Sequence, residues 1–245
     1  MARQKVFMDS SDVLRPGGSG ILPEETPSKF LARHLSSYHF ALPYLKGKHV
    51  LEIGFGDGYG ANFLAGHVGS IKAVDVLEKN VKLASNKYNA PNLEFRQMSA
   101  TDLYFDDNSF DVILSFQVIE HIEEEKLVRY LEEIKRVLKK GGLAFISTLN
   151  LDKNRKPGKT YNKNPFHVKE FNYDEFSSLI KKVFDDCQIH GLFYSARLRF
   201  YERLKKIGFS VDRFYDNIRV DEFIWKDKKL TRCIDFMAGC RKTGR

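Results

Sequence analysis

The stretch "VLEIGFGDGYGANFLA", residues 50–65, decides the fold class. It carries four glycines within seven positions, namely Gly54, Gly56, Gly58 and Gly60. An apolar strand, "HVLEIGF", leads into them and a short helix, "YGANFLAGH", follows. Glycines this dense occur where the backbone turns with positive φ or comes close to a ligand. A strand, a glycine turn and a helix form the ligand site of a doubly wound sheet. The stretch therefore predicts an α/β fold with a ligand at this turn.

Strands and helices continue to alternate along the chain. Hydrophobic patterning predicts strands at 49–55, 70–76, 92–98, 111–118, 143–150, 188–195 and 233–242, and helices at 28–42, 59–67, 78–89, 123–142, 173–184 and 196–209. Gly141 and Gly142 are the stop signals of the long helix, and Asn172 is a candidate cap for the next one. This order predicts βαβ units and a parallel sheet with helices on both faces.

The chain is predicted to form one domain with three irregular or inserted segments. Residues 1–28, which contain "RPGGSG" and "LPEETP", are expected to be irregular, and residues 29–245 to form a single domain with an N-terminal cap helix. The polar stretch at about 151–171 is long for a loop, which predicts a lid over a substrate. A basic insertion is expected at about 196–230.

The formal charge of +8 is concentrated near the C-terminus. Residues 197–245 hold 14 Lys and Arg against 7 Asp and Glu. A solvated face is the preferred interpretation, because acidic residues are interspersed, and a polyanionic partner such as nucleic acid is the less favoured alternative.

The cysteines and the hydrophobic runs predict a cytoplasmic protein. Cys187, Cys233 and Cys240 lack C-x-x-C spacing, so we expect reduced thiols and neither a disulfide frame nor a zinc site. No apolar run is long enough for a membrane span, and the N-terminal residues lack the apolar core of a secretory signal.

Three kinds of ligand compete for the glycine turn. A P-loop needs Lys and Ser or Thr after the last glycine, but Ala61 and Asn62 follow Gly60. A dinucleotide fingerprint needs its third glycine at position 59, where Tyr59 stands, so an NAD site is weakened without being excluded. The third ligand is S-adenosylmethionine.

Further motifs carry a specific resemblance. "VLEIGFGDGYG", "AVDV", "SATDLYFDDNSFDVILSFQVIEHI" and "LKKGGLAFISTLN" resemble, in order, the motifs of class I S-adenosylmethionine-dependent methyltransferases of type 11, over about residues 45–150. The closing "DFMAGCRK" extends the resemblance. It implies a Rossmann-like, doubly wound, seven-stranded and mostly parallel sheet with an antiparallel last strand, and S-adenosyl-L-methionine as the cofactor.

The resemblance also implies the cofactor-binding residues. Asp75 lies 19 residues after Gly56 and suits a carboxylate that accepts from both ribose hydroxyls. Glu52, a carboxylate in a buried strand, is expected to reach the ammonium end of the cofactor. The other expected residues are Tyr38, Gly54, Gly56, Gly58, Tyr59, Val76, Ser99, Ala100, Thr101, Phe116 and Gln117. Ser99 departs from the family, which often has Asp at this position.

Methyl transfer from a sulfonium needs few catalytic groups. Positioning for the in-line displacement can contribute on the order of 7–11 kcal/mol, and a general base is needed only for a protonated nucleophile. His121 in "IEHI" and His167 in the lid loop are the candidate bases, with a structural role as the alternative for each. His34 and Tyr38 on the first helix are further candidates. No metal site is predicted, because Asp106, Asp107 and Asp111 fit a solvated turn and the entry into a strand.

The acceptor is expected to be a small polar molecule. "HLSSYHFALPYLKGKHVLEIGFGDGYG" and "NPFHVKEFNYDEF" resemble methyltransferases that act on sugars or glycans, which implies methylation of a hydroxyl. A quinone precursor is one alternative, since "FISTLN" also occurs in such enzymes. Another is a cofactor-binding protein whose basic tail binds nucleic acid. "SFQV" stands where nucleic-acid N-methyltransferases carry N/D-P-P-Y/F, which argues against that activity. The oligomeric state is not readable from the sequence.

Overall fold

A mixed sheet forms the centre of the computed structural model, which describes residues 23–155, 160–161 and 163–244. Its strands are β1 (His49–Ile53), β2 (Ser70–Asp75), β3 (Leu93–Gln97), β4 (Phe110–Phe116), β5 (Leu138–Leu149), β6 (Asp186–Tyr194), β7 (Phe223–Lys226) and β8 (Asp235–Arg241). The helices are α1 (Ser28–Ala41), α2 (Tyr59–Ala65), α3 (Glu78–Lys87), α4 (Leu127–Val137), α5 (Leu151–Asn154), α6 (Tyr173–Lys181), α7 (Ala196–Lys206) and α8 (Asp212–Tyr215). Short 3₁₀ turns lie at Leu42–Tyr44, Ile119–His121, Glu124–Lys126, Val220–Glu222 and Leu230–Arg232.

The strand order confirms the predicted doubly wound α/β sheet. Across the sheet the order is β3-β2-β1-β4-β5-β8-β6-β7. The first five strands pair in parallel, and β8 runs antiparallel to both β5 and β6. The sheet has eight strands where seven are expected, because β7, within the predicted basic insertion, pairs antiparallel with β6. The chain order reverses at β1, which lies between β2 and β4, and a ligand crevice is expected at that point.

Both faces of the sheet are covered by apolar packing. Val50 belongs to one buried cluster and its neighbour Leu51 to another, because successive side chains of a strand point to opposite faces. The Leu51 cluster includes Tyr130 and Ile134 of α4, and the Val50 cluster includes Leu64 of α2. The central strands are therefore held between two helical layers, and their carboxyl ends are the part left open to a ligand.

The long helix ends earlier than the glycine signals predict. α4 stops at Val137, and Leu138 already pairs with Phe110 of β4, which makes Leu138–Gly142 the start of β5 rather than the last turn of a helix. Leu138 is fully buried in this extended conformation. Its burial against the sheet outweighs the helical preference of the lysines that follow.

The predicted irregular segment and lid are only partly described. Residues 1–22 of the first, and residues 156–159 and 162 of the second, lie outside the described residues. The lid stretch opens with the short α5, capped by Asn150, whose side chain accepts a hydrogen bond from the amide of Asp152. None of the helices in the described part of the chain has both the length and the apolar character needed to cross a bilayer.

Candidate active site

A large cleft opens at the carboxyl ends of β1, β2 and β4. Its volume is about 2160 Å³, and its lining comes from α1, the loops after these strands, segment 149–170, α7 and segment 226–235. Pockets for one small ligand usually measure roughly 300–1,000 Å³. The cleft therefore has room for a cofactor and a second substrate.

Three glycines of the turn after β1 adopt a backbone conformation that other residues avoid. Gly54 and Gly56 line the cleft, whereas Gly58, expected to do so, does not, and a Cβ there would meet Ala84 and Phe95. The φ angles are +74° at Gly54, +62° at Gly56 and +86° at Gly58. A Cβ at Gly54 would also lie 2.4 Å from Cγ2 of Val118, closer than atoms can approach. The turn therefore needs glycine for two reasons: its φ angles are positive, and a neighbouring side chain leaves no room for a Cβ.

Asp75 at the end of β2 is held by this turn. The amide of Gly56 donates to Oδ2 of Asp75 over 3.0 Å, and the amide of Leu77 donates to Oδ1 over 2.9 Å. An ionised carboxylate offers about four lone-pair positions, so two remain. The Asp75 side chain lines the cleft, and its carboxylate can still accept two hydrogen bonds from the hydroxyls of a diol.

Glu52 on β1 has an acceptor atom without a partner. The Tyr38 hydroxyl donates to Oε1 over 2.5 Å, whereas Oε2 is buried and has no hydrogen-bond partner among the described residues. Burial raises the pKa of Glu52 to about 7, with a smaller contribution from Asp75, although the Tyr38 hydrogen bond opposes the shift. A buried oxygen of this kind calls for a missing donor, and the ammonium group of the expected cofactor fits it.

The fourth glycine of the turn has a packing role. Gly60 lies in the first turn of α2, where a Cβ would lie 2.1 Å from Cζ of Tyr38. Glycine at this position lets Tyr38 of α1 pass over α2 and reach Glu52.

Tyr59 joins α1 to the start of α2. Its hydroxyl lies 2.9 Å from Nδ1 of His34. Burial, aided by the neighbouring Arg33, lowers the pKa of His34 to about 4. With this pKa His34 is neutral at neutral pH and is a weak base. Both side chains line the cleft.

The residues expected to hold the adenine lie together on one side of the cleft. Val76 exposes 62% of its surface directly after Asp75, which leaves an apolar face for a ring. The Ser99 hydroxyl accepts from the amide of Thr101 over 3.2 Å and contacts its hydroxyl over 2.9 Å, which closes a small turn around Ala100.

The end of β4 carries backbone strain. Gln117 has a φ of +56°, which is rare for a residue with a side chain, and its amide donates to the carbonyl of Ser147 over 3.0 Å. Such residues cost roughly 1–3 kcal/mol each and cluster at functional sites. The preceding Phe116 is buried, with its ring edge on the Tyr38 ring at 5.0 Å between centroids.

The structure brings the two candidate bases together. The ring centroids of His121 and His167 lie 5.0 Å apart. Nδ1 of His121 lies 2.9 Å from the carbonyl of Phe166, and Nδ1 of His167 lies 2.7 Å from Oε1 of Glu170. Both partners are acceptors, so each Nδ1 carries the proton and each Nε2 keeps its lone pair. Nε2 of His167 lies 2.9 Å from the amide nitrogen of Asn164.

Glu120 completes a cluster that the sequence reasoning did not assign. Glu120 is buried, and one of its oxygens accepts from the Thr148 hydroxyl over 3.1 Å. Burial raises the pKa of Glu120 to about 8. One ligand atom each from Glu120, His121 and His167 lies within 4.8 Å of the other two, so the three residues could hold a metal ion.

The acids that were considered for a metal site lie apart. Asp107 pairs with Arg136 and Asp111 with Lys139, each over 2.9 Å. The carbonyl of Asp106 accepts from a neighbouring serine in the same turn. Separate cations therefore account for the two paired carboxylates.

Three further charged residues were missed by the sequence reasoning. Arg33 of α1 makes a two-pronged contact to the buried Asp235 of β8, with Nε donating over 2.7 Å. Burial opposes the charge on Arg33, yet Asp235 outweighs it and raises the pKa of Arg33. Asp57, inside the glycine turn, is buried against Lys87 at 3.1 Å and Tyr88 at 2.9 Å. Asp57 could have been found from the sequence, because it is a charged residue between two glycines of the turn. No local sequence pattern predicts the Arg33–Asp235 pair.

The basic segment lines one end of the cleft instead of forming a separate tail. The side chains concerned are exposed and line the cleft, and within the described ranges none of them makes an ion pair: Arg199, Arg203, Lys206, Lys226, Lys228, Lys229 and Arg232. The concentration of unpaired positive charge gives this end of the cleft an affinity for anionic or strongly polar groups.

Comparisons with known sequences point to one family. Residues 51–146 match a family model described as a methyltransferase domain. A probable S-adenosylmethionine-dependent methyltransferase of Mycobacterium tuberculosis is 36% identical over 192 residues, covering 78% of this chain and 68% of the relative. A probable phthiotriol/phenolphthiotriol dimycocerosates methyltransferase of Mycobacterium ulcerans is 38% identical over 125 residues, 49% of this chain and 48% of that protein.

Solved structures share the fold at low sequence identity. A complex between the Haloferax volcanii Trm112 methyltransferase activator and a putative methyltransferase matches with a TM-score of 0.62 and 19% identity, over 89% of this chain and 92% of that one. A possible histamine N-methyltransferase of Thermotoga maritima matches with a TM-score of 0.60 and 19% identity, over 87% of this chain and 92% of that one. An N-methyltransferase of Haemonchus contortus, solved with S-adenosylhomocysteine, matches with a TM-score of 0.58 and 21% identity, over 88% of this chain and 54% of that one.

Proposed function

Because this chain belongs to the S-adenosylmethionine-dependent methyltransferases, we propose that it methylates a hydroxyl group of a sugar, a glycan or another small polar metabolite. The cofactor, S-adenosyl-L-methionine, supplies an activated methyl group that is displaced in line by the acceptor oxygen. The chain itself has two tasks: it holds the cofactor, and it presents the acceptor.

The ribose end of the cofactor is assigned to Asp75. Support comes from the two lone-pair positions that the amides of Gly56 and Leu77 leave open on its carboxylate. The methionine end is assigned to Glu52, on the strength of its unpartnered Oε2. Gly54, Gly56 and Gly58 let the backbone pass close beneath it.

The remaining cofactor contacts follow from the lining of the cleft. Tyr38 and Tyr59 lie over the methionine end, while Val76, Ser99, Ala100 and Thr101 surround the adenine. Phe116 and Gln117, at the end of β4, lie beside the methyl group. The strained backbone of Gln117 supports a functional position there.

The unpaired cations at the far end of the cleft carry the acceptor assignment. Arg199, Arg203 and Lys206 project from one helix, and Lys228, Lys229 and Arg232 from the segment before β8. A long apolar chain gains nothing from such a lining, whereas a sugar or an anionic metabolite finds hydrogen-bond donors. The lipid acceptor named for the Mycobacterium ulcerans relative belongs to a protein that aligns over about half of this chain.

The two histidines are placed at the acceptor. His121 and His167 line the same cleft as the cofactor residues, and each engages an acceptor through Nδ1, while Nε2 of His167 also contacts the side-chain amide of Asn164. We assign them to the acceptor hydroxyl. In the same proposal, residues 29–245 form a single domain in which α1 caps the cofactor and segment 151–171 covers the acceptor.

The cysteines support a cytoplasmic location. All three thiols are free, and Cys187 and Cys240 remain unbridged although they pair directly across β6 and β8. Reduced thiols of this kind are typical of the cytosol.

The test is methyl transfer from labelled cofactor to a panel with five arms. These are a neutral sugar, an anionic sugar, a glycan, a quinone precursor and a long-chain diol. The proposal expects label in the sugar or glycan arms. Label confined to the quinone or diol arms would overturn the acceptor class while leaving the family intact.

A further inference from the structure

We propose that Glu120, His121 and His167 bind one divalent transition-metal ion at the acceptor side of the cleft. The site itself stands on the geometry of these three residues. Only the metal's role, polarising the acceptor hydroxyl, rests on the proposed function.

The three ligand atoms already converge. All of them lie within 4.8 Å of one another. Ligands bound to a metal at about 2.0–2.2 Å lie roughly 3–4 Å apart, so binding requires a contraction of at most about 2 Å. Glu120 is buried, His121 is exposed and His167 is partly buried, so the movement falls on the two histidines and on the hydrogen bonds that orient them.

Both histidines are oriented as metal ligands are. A bound histidine commonly donates its other ring N–H to a carbonyl or carboxylate, which fixes the tautomer. His121 does so to the Phe166 carbonyl and His167 to Glu170. Glu170 in turn accepts from the Tyr161 hydroxyl, so the supporting carboxylate is itself held in place. The Nε2 atoms are the remaining candidate donors to a cation, and the side-chain amide of Asn164, 2.9 Å from Nε2 of His167, has to move aside when the ion binds.

Because burial raises its pKa, the Glu120 carboxyl is largely protonated at neutral pH, and a bound cation would take the place of that proton. Within the part of the chain that the structure describes, Glu120 makes no ion pair, and its side chain accepts from the Thr148 hydroxyl and from its own backbone amide. The nearby Arg33 is already committed to Asp235. Metal binding to this carboxyl should therefore release a proton, because the ligand must be deprotonated.

The donor set selects the class of metal. Two imidazole nitrogens and one carboxylate oxygen suit manganese, iron, cobalt or zinc better than calcium or magnesium, which prefer oxygen ligands throughout. Three protein ligands leave open positions. An acceptor hydroxyl at such a position would have its pKa lowered by the ion.

The first experiment titrates Co²⁺ into the untagged, metal-stripped full chain and follows the visible absorption of the bound ion. We expect one Co²⁺ per chain, and at least about tenfold weaker binding in His121→Ala and in His167→Ala. The matched control is His67→Ala, an exposed histidine after α2 outside the cleft, which should bind as the unaltered chain does. No stoichiometric binding, or equal binding by all four proteins, overturns the site.

A second measurement does not depend on variants that fold. Ring ¹⁵N signals of the unaltered chain are recorded with and without Zn²⁺. Shifts at Nε2 of His121 and His167 alone are expected, and shifts only at other histidines contradict the proposal.

Cofactor binding and methyl transfer are measured separately in the metal-stripped protein. Unchanged methyl transfer there overturns the metal's role and leaves the proposed function standing. Stoichiometric metal binding lost in both histidine variants supports the site even if no acceptor on the panel is methylated.

Discussion

The amide of Gly56 donates a hydrogen bond to the carboxylate of Asp75 over 3.0 Å. This bond joins the glycine turn after β1 to the acidic end of β2, so the two parts of the proposed cofactor site form one unit. The same carboxylate orients the loop and is the proposed acceptor for the ribose.

Replacement of Asp75 tests that unit. Asp75→Ala removes acceptors for the ribose diol and releases the Gly56 amide, and hydrogen bonds to a charged group contribute about 1.5–3 kcal/mol each. We expect S-adenosylhomocysteine to bind about 10- to 100-fold more weakly by calorimetry. Asp107→Ala, at an exposed acid outside the cleft, should bind normally. Unchanged affinity in Asp75→Ala would place the ribose elsewhere.

Gly60 is expected to matter for stability through Tyr38. A methyl group at Gly60 would collide with the Tyr38 ring, and overpacking of this kind costs about 1–3 kcal/mol. Gly60→Ala should therefore lower the free energy of unfolding in urea. Gly66→Ala is the matched control, because Gly66 has a φ of −70° and nothing within 4 Å of the added carbon. Equal stability of the two variants would contradict the packing role.

Glu52 predicts a pH dependence of stability in the cofactor-free protein. Its pKa rises from 4.5 to about 7 on folding, so the folded state binds more protons between these values. Stability from this group is present below about pH 4.5 and is lost as the pH rises through about 7.

The comparison with Glu52→Gln isolates this effect. The glutamine of the variant cannot ionise. The free energy of unfolding of the variant, measured in urea, should therefore rise relative to that of the unaltered chain between pH 5 and pH 8. The buried Glu120 shifts in the same direction and remains in both proteins. Parallel stability curves for the two proteins would show that Glu52 is already ionised when buried.

Charge reversal at the far end of the cleft tests the acceptor class. Arg203→Glu should raise KM for an anionic acceptor by about tenfold, because one ionic contact of about 1.4 kcal/mol corresponds to that factor. Binding of S-adenosylhomocysteine should not change. Arg213→Glu is the control, since Arg213 is exposed in the same basic segment but does not line the cleft. An equal KM in the two variants would show that the basic residues lining the cleft do not take part in acceptor binding.

Local patterns predict the parallel half of this fold well. The glycine turn, the spacing from Gly56 to Asp75 and the amphipathic face of α4 are each encoded within a short window, and each has a local physical reason. The end of α4 at Val137 was missed because the burial of Leu138 against β4 is a tertiary effect.

The acceptor half depends on contacts between distant segments. Arg33 and Asp235 are 202 residues apart, and His121 meets His167 through a loop whose path no periodicity records. β7 forms because four residues find an open edge beside β6. Such pairings become visible only when the chain is folded.

The most direct test of the central claim is to identify the methylated atom. The chain is incubated with ¹³C-methyl-labelled S-adenosylmethionine and the acceptor panel, and the product is examined by NMR for coupling between the new methyl group and an acceptor carbon across oxygen. The account predicts an O-methyl group on a sugar, a glycan or another polar metabolite, lost in Asp75→Ala. A methyl group on nitrogen, sulfur or carbon, or on a lipid chain, would contradict it.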